Sequence, residues 1–278
     1  MVHFPTGFTG QRLLSSPSNA TSLLKSFGYR AVEVEGEQSS RGHIIRAHRI
    51  SDNLPVVVKS IRRDSVEAQV LVAFREAQSR GERLPIPSVL NLIGDASSNI
   101  VLAVQEDWGQ TLAELGPLPP SEFFHIILQC FEAVVILHTK GIAHLDISIY
   151  NFLCNANRRV ALIDFEMSRR IETKTRLLSQ RSRNSQSHLV YPQRTTETPP
   201  EFRTPDAHTR QHCAYKLDIF ALGVLILRFA KASGFDCPQL VRLAEPLIEC
   251  NPESRPTAAE AILWFRTWCE RVGVVISN

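Results

Sequence analysis

Asp146 and Asn151 stand five residues apart in the run His144-Leu145-Asp146-Ile147-Ser148-Ile149-Tyr150-Asn151, and Asp164-Phe165 follows thirteen residues after Asn151. Oxygen-bearing side chains at this spacing suit phosphoryl transfer. That reaction needs an oxygen acid to accept or orient the proton of the attacking hydroxyl, and further oxygen ligands to hold Mg2+ against the phosphates. Asp146 supplies the first, and Asn151 with Asp164 supplies the second. An isolated His-x-Asp triplet recurs by chance. The full run through Asn151, followed by Asp-Phe at a strand end, is far more specific.

The surrounding sequence predicts the elements that hold these residues. The apolar-periodic run SEFFHIILQCFEAVVILHTKG, opened by Pro119-Pro120 and closed by Gly141, predicts a long helix just before His144. The short apolar runs NFLCN and VALIDF predict two strands, with Asp164 at the end of the second. Upstream, AVEVEGE, GHIIRAHRI and NLPVVVKSI predict three antiparallel strands, and Asp64-Ser65 opens a helix. PSVLNLIGD and NIVLAVQED add two more strands. Downstream, KLDIFALGVLILRFA and the segments between Pro238 and Val272 predict further helices. The predicted class is therefore α+β, with a small β-rich lobe over 29–108 and a larger helical lobe over 109–278. Residues 1–28, rich in Ser, Thr, Gly and Pro, read as a flexible N-terminal arm.

Composition narrows the function. A chain of 278 residues with 44% hydrophobic residues has a core to bury, which excludes disorder as the main state. The formal net charge is +3, without the single-sign field of a dedicated nucleic-acid or membrane-surface binder. No nucleic acid and no membrane are expected as partners, since no apolar run reads as long enough to span a bilayer. The opening MVHFPTGFTGQR has neither a charged n-region nor an apolar h-region. Six cysteines without a C-x-x-C pair fit a reducing compartment, so a cytoplasmic or nuclear monomer is expected. One segment departs from neutrality. Over 168–196 the residues Arg169, Arg170, Lys174, Arg176, Arg181, Arg183 and Arg194 face Glu172 alone, which predicts a long basic loop and an acidic protein substrate.

These motifs, taken in order, resemble the eukaryotic protein kinases, whose catalytic loop reads H-R-D-x-x-x-x-N and whose metal motif reads D-F-G. The H-x-D-I-S loop is similar to that of divergent kinase-like families of fungi. The resemblance covers roughly residues 29–272. It implies ATP and Mg2+ as cofactors, a two-lobed fold, and transfer to Ser/Thr hydroxyls of proteins. Val56-Val57-Val58-Lys59 looks like the strand presenting the phosphate-gripping lysine, Pro199-Pro200-Glu201 like A-P-E, and Asp218-Ile219-Phe220-Ala221-Leu222-Gly223 like D-x-W-x-x-G. Arg255 looks like the late arginine that pairs with the A-P-E glutamate. The resemblance further implies that Lys59 pairs with an acidic helix residue, either Glu67 or Glu76. Ile44, Val57 and Leu153 would sandwich the adenine, Glu106 would lie in the hinge, and Gly42 in the phosphate-covering loop.

Several positions depart from that pattern. Glu37 and Ser39 stand where the first two glycines of the covering loop belong, Leu145 replaces the arginine of H-R-D, Ser148 replaces a lysine, and Glu166 replaces the glycine of D-F-G. They leave two alternatives open: a pseudokinase serving as a binding module, and a small-molecule phosphotransferase of the aminoglycoside or choline type.

Overall fold

A computed structural model of the chain describes residues 17–32, 44–94, 99–171, 188–235 and 238–274. The chain divides into two compact units, Met1–Trp108 and Gly109–Asn278.

The first unit holds α1 (Pro17–Ser26), β1 (Tyr29–Ala31), β2 (Ile44–Arg49), β3 (Pro55–Arg62), α2 (Val66–Ser79), β4 (Val89–Ile93) and β5 (Ile100–Glu106). Its five strands form an antiparallel sheet in the order β1-β2-β3-β5-β4. Alternation along β3 turns Val56 and Val58 into a core shared with Tyr29, Leu102, Val104 and the α1 residues Ala20 and Leu24. Residues 17–26 are not part of a loose arm, because Ala20 and Leu24, four apart, place two apolar side chains on one face of α1, and both are buried against the sheet. The strand expected over 31–37 begins at Tyr29, and its remainder from residue 33 lies outside the described residues.

The second unit contains β6 (Gln110–Thr111), α3 (Pro120–Thr139), β7 (Ile142–Ala143), β8 (Phe152–Cys154), β9 (Val160–Leu162), β10 (Arg169–Arg170), β11 (Leu189–Val190), β12 (His212–Cys213), α4 (Ala214–Ala232), α5 (Gln239–Ala244) and α6 (Ala258–Arg271). Helix α3 is long and apolar enough, by length and composition, to cross a membrane, which corrects the reading that no stretch reaches that length. Its apolar side chains are nevertheless largely buried: Phe123 stacks on Phe229 of α4 at 5.1 Å and Phe131 on Phe265 of α6 at 5.0 Å. Helix α6 opens with a capping box, in which Thr257 Oγ1 accepts from Glu260 N while the Glu260 carboxylate accepts from Thr257 N.

Helix α4 is apolar on nearly every face, as a helix at the centre of a bundle must be. Gly223 lets it approach the chain after α5: a Cβ there would sit 2.6 Å from Ile248 Cγ2 and 2.8 Å from Leu247 Cβ. Overpacking of this kind costs about 1–3 kcal/mol, whereas alanine gains only ~1 kcal/mol over glycine within a helix. Gly223→Ala is therefore expected to lower the denaturant midpoint of the full chain. A midpoint that stays level or rises would show that this contact relaxes freely.

Candidate active site

The loop between β7 and β8 is built around Asp218, a buried carboxylate on α4. Its Oδ2 accepts from the backbone N–H of His144 at 2.8 Å and from His138 Nε2 at 2.9 Å, and its Oδ1 accepts from the N–H of Leu145 at 2.7 Å. These bonds hold Leu145 at φ +66, a region unfavourable for a branched side chain. Burial completes the restraint, since Leu145 packs with Ala143, Ile171, Val190, Ala214 and Leu217.

His144 has no exposed surface, and burial pushes its imidazole below the ordinary histidine value. Its Nδ1 accepts from the N–H of Asp146 at 3.3 Å, so the proton sits on Nε2, which donates to Ile163 O at 3.0 Å. The neutral ring thus ties the loop to the end of β9. The ring edge also meets Phe165, with centroids 5.0 Å apart.

Asp146 is held through both carboxylate oxygens. Oδ2 accepts from Asn151 Nδ2 at 2.9 Å, and Oδ1 accepts from the backbone N–H of Thr196 at 2.7 Å. Asn151 Nδ2 also donates to Asp146 O at 2.7 Å. With its amide N–H groups directed at Asp146, Asn151 turns its carbonyl Oδ1 the other way. The N–H of Ile163 donates to Asn151 O at 2.9 Å, which brings Asp164 next to this loop. Asp164 itself has φ +65, a conformation Asp tolerates better than most residues. Two oxygen-bearing side chains from adjoining backbone suit a hard divalent cation such as Mg2+, which takes oxygen ligands.

The departures from the kinase pattern have definite places. Ser148 is buried, and its Oγ accepts from Tyr150 N at 3.3 Å within its own turn. Leu145 is buried as described, so no cationic side chain stands at that position. Glu166 is exposed.

In the first unit, Lys59 Nζ donates to Glu67 Oε1 at 2.8 Å, with the Glu67 side chain 6% exposed. Glu76 is exposed instead. Ser65, not Glu67, caps α2, its Oγ accepting from Ala68 N at 3.1 Å. Ile44 lies opposite Lys59 across the β2–β3 register, and Val57 lies two residues before Lys59, so the three share a sheet face. Glu106 ends β5, its Oε2 accepting from Trp108 Nε1 at 3.2 Å. Leu153 sits on β8 of the second unit, between Thr111 and Ala161. Gly42 and the rest of the covering loop lie outside the described residues, as do Lys174, Arg176, Arg181 and Arg183.

A second buried charge braces the helical unit. Arg255 donates from both terminal nitrogens to the Glu201 carboxylate, each at 2.7 Å, and further to Lys216 O at 3.0 Å and Glu249 O at 2.9 Å. Its guanidinium lies 5.0 Å from the centre of the Phe220 ring.

Some contacts had no counterpart in the sequence reading: the Thr196 amide, His138 beneath Asp218, and Glu197 paired with Arg228. A backbone amide carries no residue-type signal, and Glu197 and Arg228 sit at no recurring spacing.

Residues 35–236 match the protein kinase domain family. The chain is 22% identical over 196 residues to serine/threonine-protein kinase pkn2 of Myxococcus xanthus, covering 67% of this chain and 22% of that protein. It is 25% identical over 195 residues to serine/threonine-protein kinase PLK4 of Danio rerio, covering 67% and 19%. To serine/threonine-protein kinase PknB of Mycobacterium leprae it is 27% identical over 142 residues, covering 47% and 22%. The chain spans about a fifth of the length of these relatives. With the family match extending over most of its length, and with the carboxylate-centred loop that the match encloses, this chain belongs to the protein kinase family.

Proposed function

We propose that the chain is an ATP-dependent protein kinase that phosphorylates Ser or Thr hydroxyls. The observation that carries this reading is the Asp146 carboxylate, fixed by Asn151 on one oxygen and Thr196 on the other. A carboxylate held in this way orients an acceptor hydroxyl and takes its proton. The names of the relatives, all serine/threonine kinases, support the same assignment. Magnesium-bound ATP supplies the γ-phosphoryl group and the divalent charge that offsets its oxygens. Asn151 and Asp164 would hold the ion, and Lys59, kept in place by Glu67, would hold phosphate oxygens. Exposed Arg169, Arg170, Arg194 and Arg203 favour an acidic protein substrate.

A pseudokinase is the second reading, and Ser148 favours it. Its hydroxyl is bound within its own turn, so position 148 offers no cation to a transferring phosphoryl group. Calorimetric titration with ATP, with and without Mg2+, tests the shared requirement of both nucleotide-dependent readings. Weak binding that needs the metal is expected, because Glu37 and Ser39 replace loop glycines. No metal-dependent binding at millimolar ATP would contradict it.

The same titration separates the two helix glutamates. Glu67→Gln is expected to weaken ATP binding about tenfold, because Lys59 loses its charged partner. Glu76→Gln should leave it unchanged. Equal effects of the two would remove Glu67 from the site.

A further inference from the structure

Glu197 follows the residue whose N–H binds Asp146. It is a carboxylate in a buried place, its side chain 5% exposed, and it faces Arg228 of α4, whose side chain is half exposed. Arg228 Nε lies 2.8 Å from Glu197 Oε1, close enough for an ion pair. The approach is poorly directed, however, and the buried Oε1 has no well-formed hydrogen bond among the described residues. On the backbone side, Thr195 Oγ1 donates to Glu197 O at 3.1 Å, tightening the turn that presents the Thr196 amide.

We propose that Glu197, anchored by Arg228, is a positioning residue for Asp146: the ion pair fixes the 195–197 turn so that the Thr196 N–H stays on Asp146 Oδ1. The carboxylate is then locked between Thr196 and Asn151, and it presents one orientation to an acceptor hydroxyl. The catalytic part of this inference rests on the reading of Asp146 given above, whereas the clamp itself does not.

The energetics of the pair agree with a functional role. Burial pushes the Glu197 carboxyl above its ordinary value, with Arg228 opposing the shift and the charge of Asp146 adding to it. Arg228 is the charged group in contact with Glu197, and the charge of Asp146 acts on it as well. A raised value means that the folded chain binds this proton more readily than the unfolded chain. The ionised side chain is therefore held at a cost in stability at neutral pH. That cost fades as the pH falls through the raised value and is gone below the ordinary 4.5.

The test uses the full chain with Glu197→Gln and Arg228→Met, and three readouts: amide exchange of Thr196 by NMR, transfer kinetics with ATP and an acceptor peptide, and thermal melting at pH 7.5. In both variants Thr196 exchange is expected to rise about tenfold, and kcat to fall about 10- to 100-fold with the KM for ATP unchanged. Glu197→Gln should melt no lower than the parent. Unchanged Thr196 exchange and unchanged kcat would overturn the proposal. So would a general loss, in which melting, exchange throughout the helical unit and kcat decline together. If the parent chain transfers no phosphate, the kinase reading fails and exchange alone decides: a rise confined to the 195–197 turn upholds the clamp, and no rise refutes it.

Discussion

Asp146→Asn is expected to lower phosphate transfer by about 10²- to 10⁴-fold, the range that a positioned proton acceptor contributes, while nucleotide affinity stays within about twofold. The substitution keeps the shape of the side chain. Its remaining oxygen accepts one of the two bonds from Asn151 Nδ2 and the Thr196 N–H, while the new amide group brings donors toward the other. What disappears is the negative charge that receives the hydroxyl proton. Asn151 and Asp164 are not substituted in this variant, and Asn151 Nδ2 keeps its bond to Asp146 O, so an effect confined to kcat separates the roles. A parallel loss of ATP binding and turnover would instead assign Asp146 to holding the loop together.

The second large effect concerns stability. Arg255→Met is expected to destabilise the chain by about 3–5 kcal/mol, because it leaves the Glu201 carboxylate buried without its partner. Domains of this kind are stable by only about 5–15 kcal/mol in total, so the variant should unfold at much lower denaturant. The double variant Glu201→Leu/Arg255→Met should recover part of this loss by removing the stranded charge. Recovery should be incomplete, since Arg255 also donates to Lys216 O and Glu249 O, bonds that methionine cannot make. Urea titrations of the parent, single and double variants check this ordering. A single variant as stable as the parent would show that the pair contributes nothing to folding.

How far these features were legible in the sequence depended on whether residue type and spacing encode them. Asp146 and Asn151 were legible because a five-residue step on a tight loop is a fixed geometric unit, here closed by two bonds from one amide group. The choice between Glu67 and Glu76 was not settled by distance along the chain. Helical period decides it: nine residues are two and a half turns, so the two glutamates point to opposite sides of α2, and only Glu67 reaches Lys59. Helix α1 was missed because Ser, Thr and Pro dominate its sequence, and Ala20 and Leu24 suffice to anchor it to the sheet. Helix α3 was recognised as a helix, but its spanning length and apolarity were underrated. Leu145 read as a loss of charge; the structure adds that its side chain fills an apolar cluster, which accounts for a leucine at that place. The contacts of Thr196 and Glu197 were out of reach, because a main-chain donor and a pair joined only by the fold leave no pattern.

The most direct test of the account is transfer of radiolabelled γ-phosphate from Mg2+·ATP to a Ser/Thr peptide library by the full chain, with the Asp146→Asn protein as control. Label is expected on Ser or Thr, strongest on peptides with acidic residues near the acceptor, and is expected to be lost in the control. Label in the parent chain no greater than in the control, at an ATP concentration where binding has been shown, would contradict it.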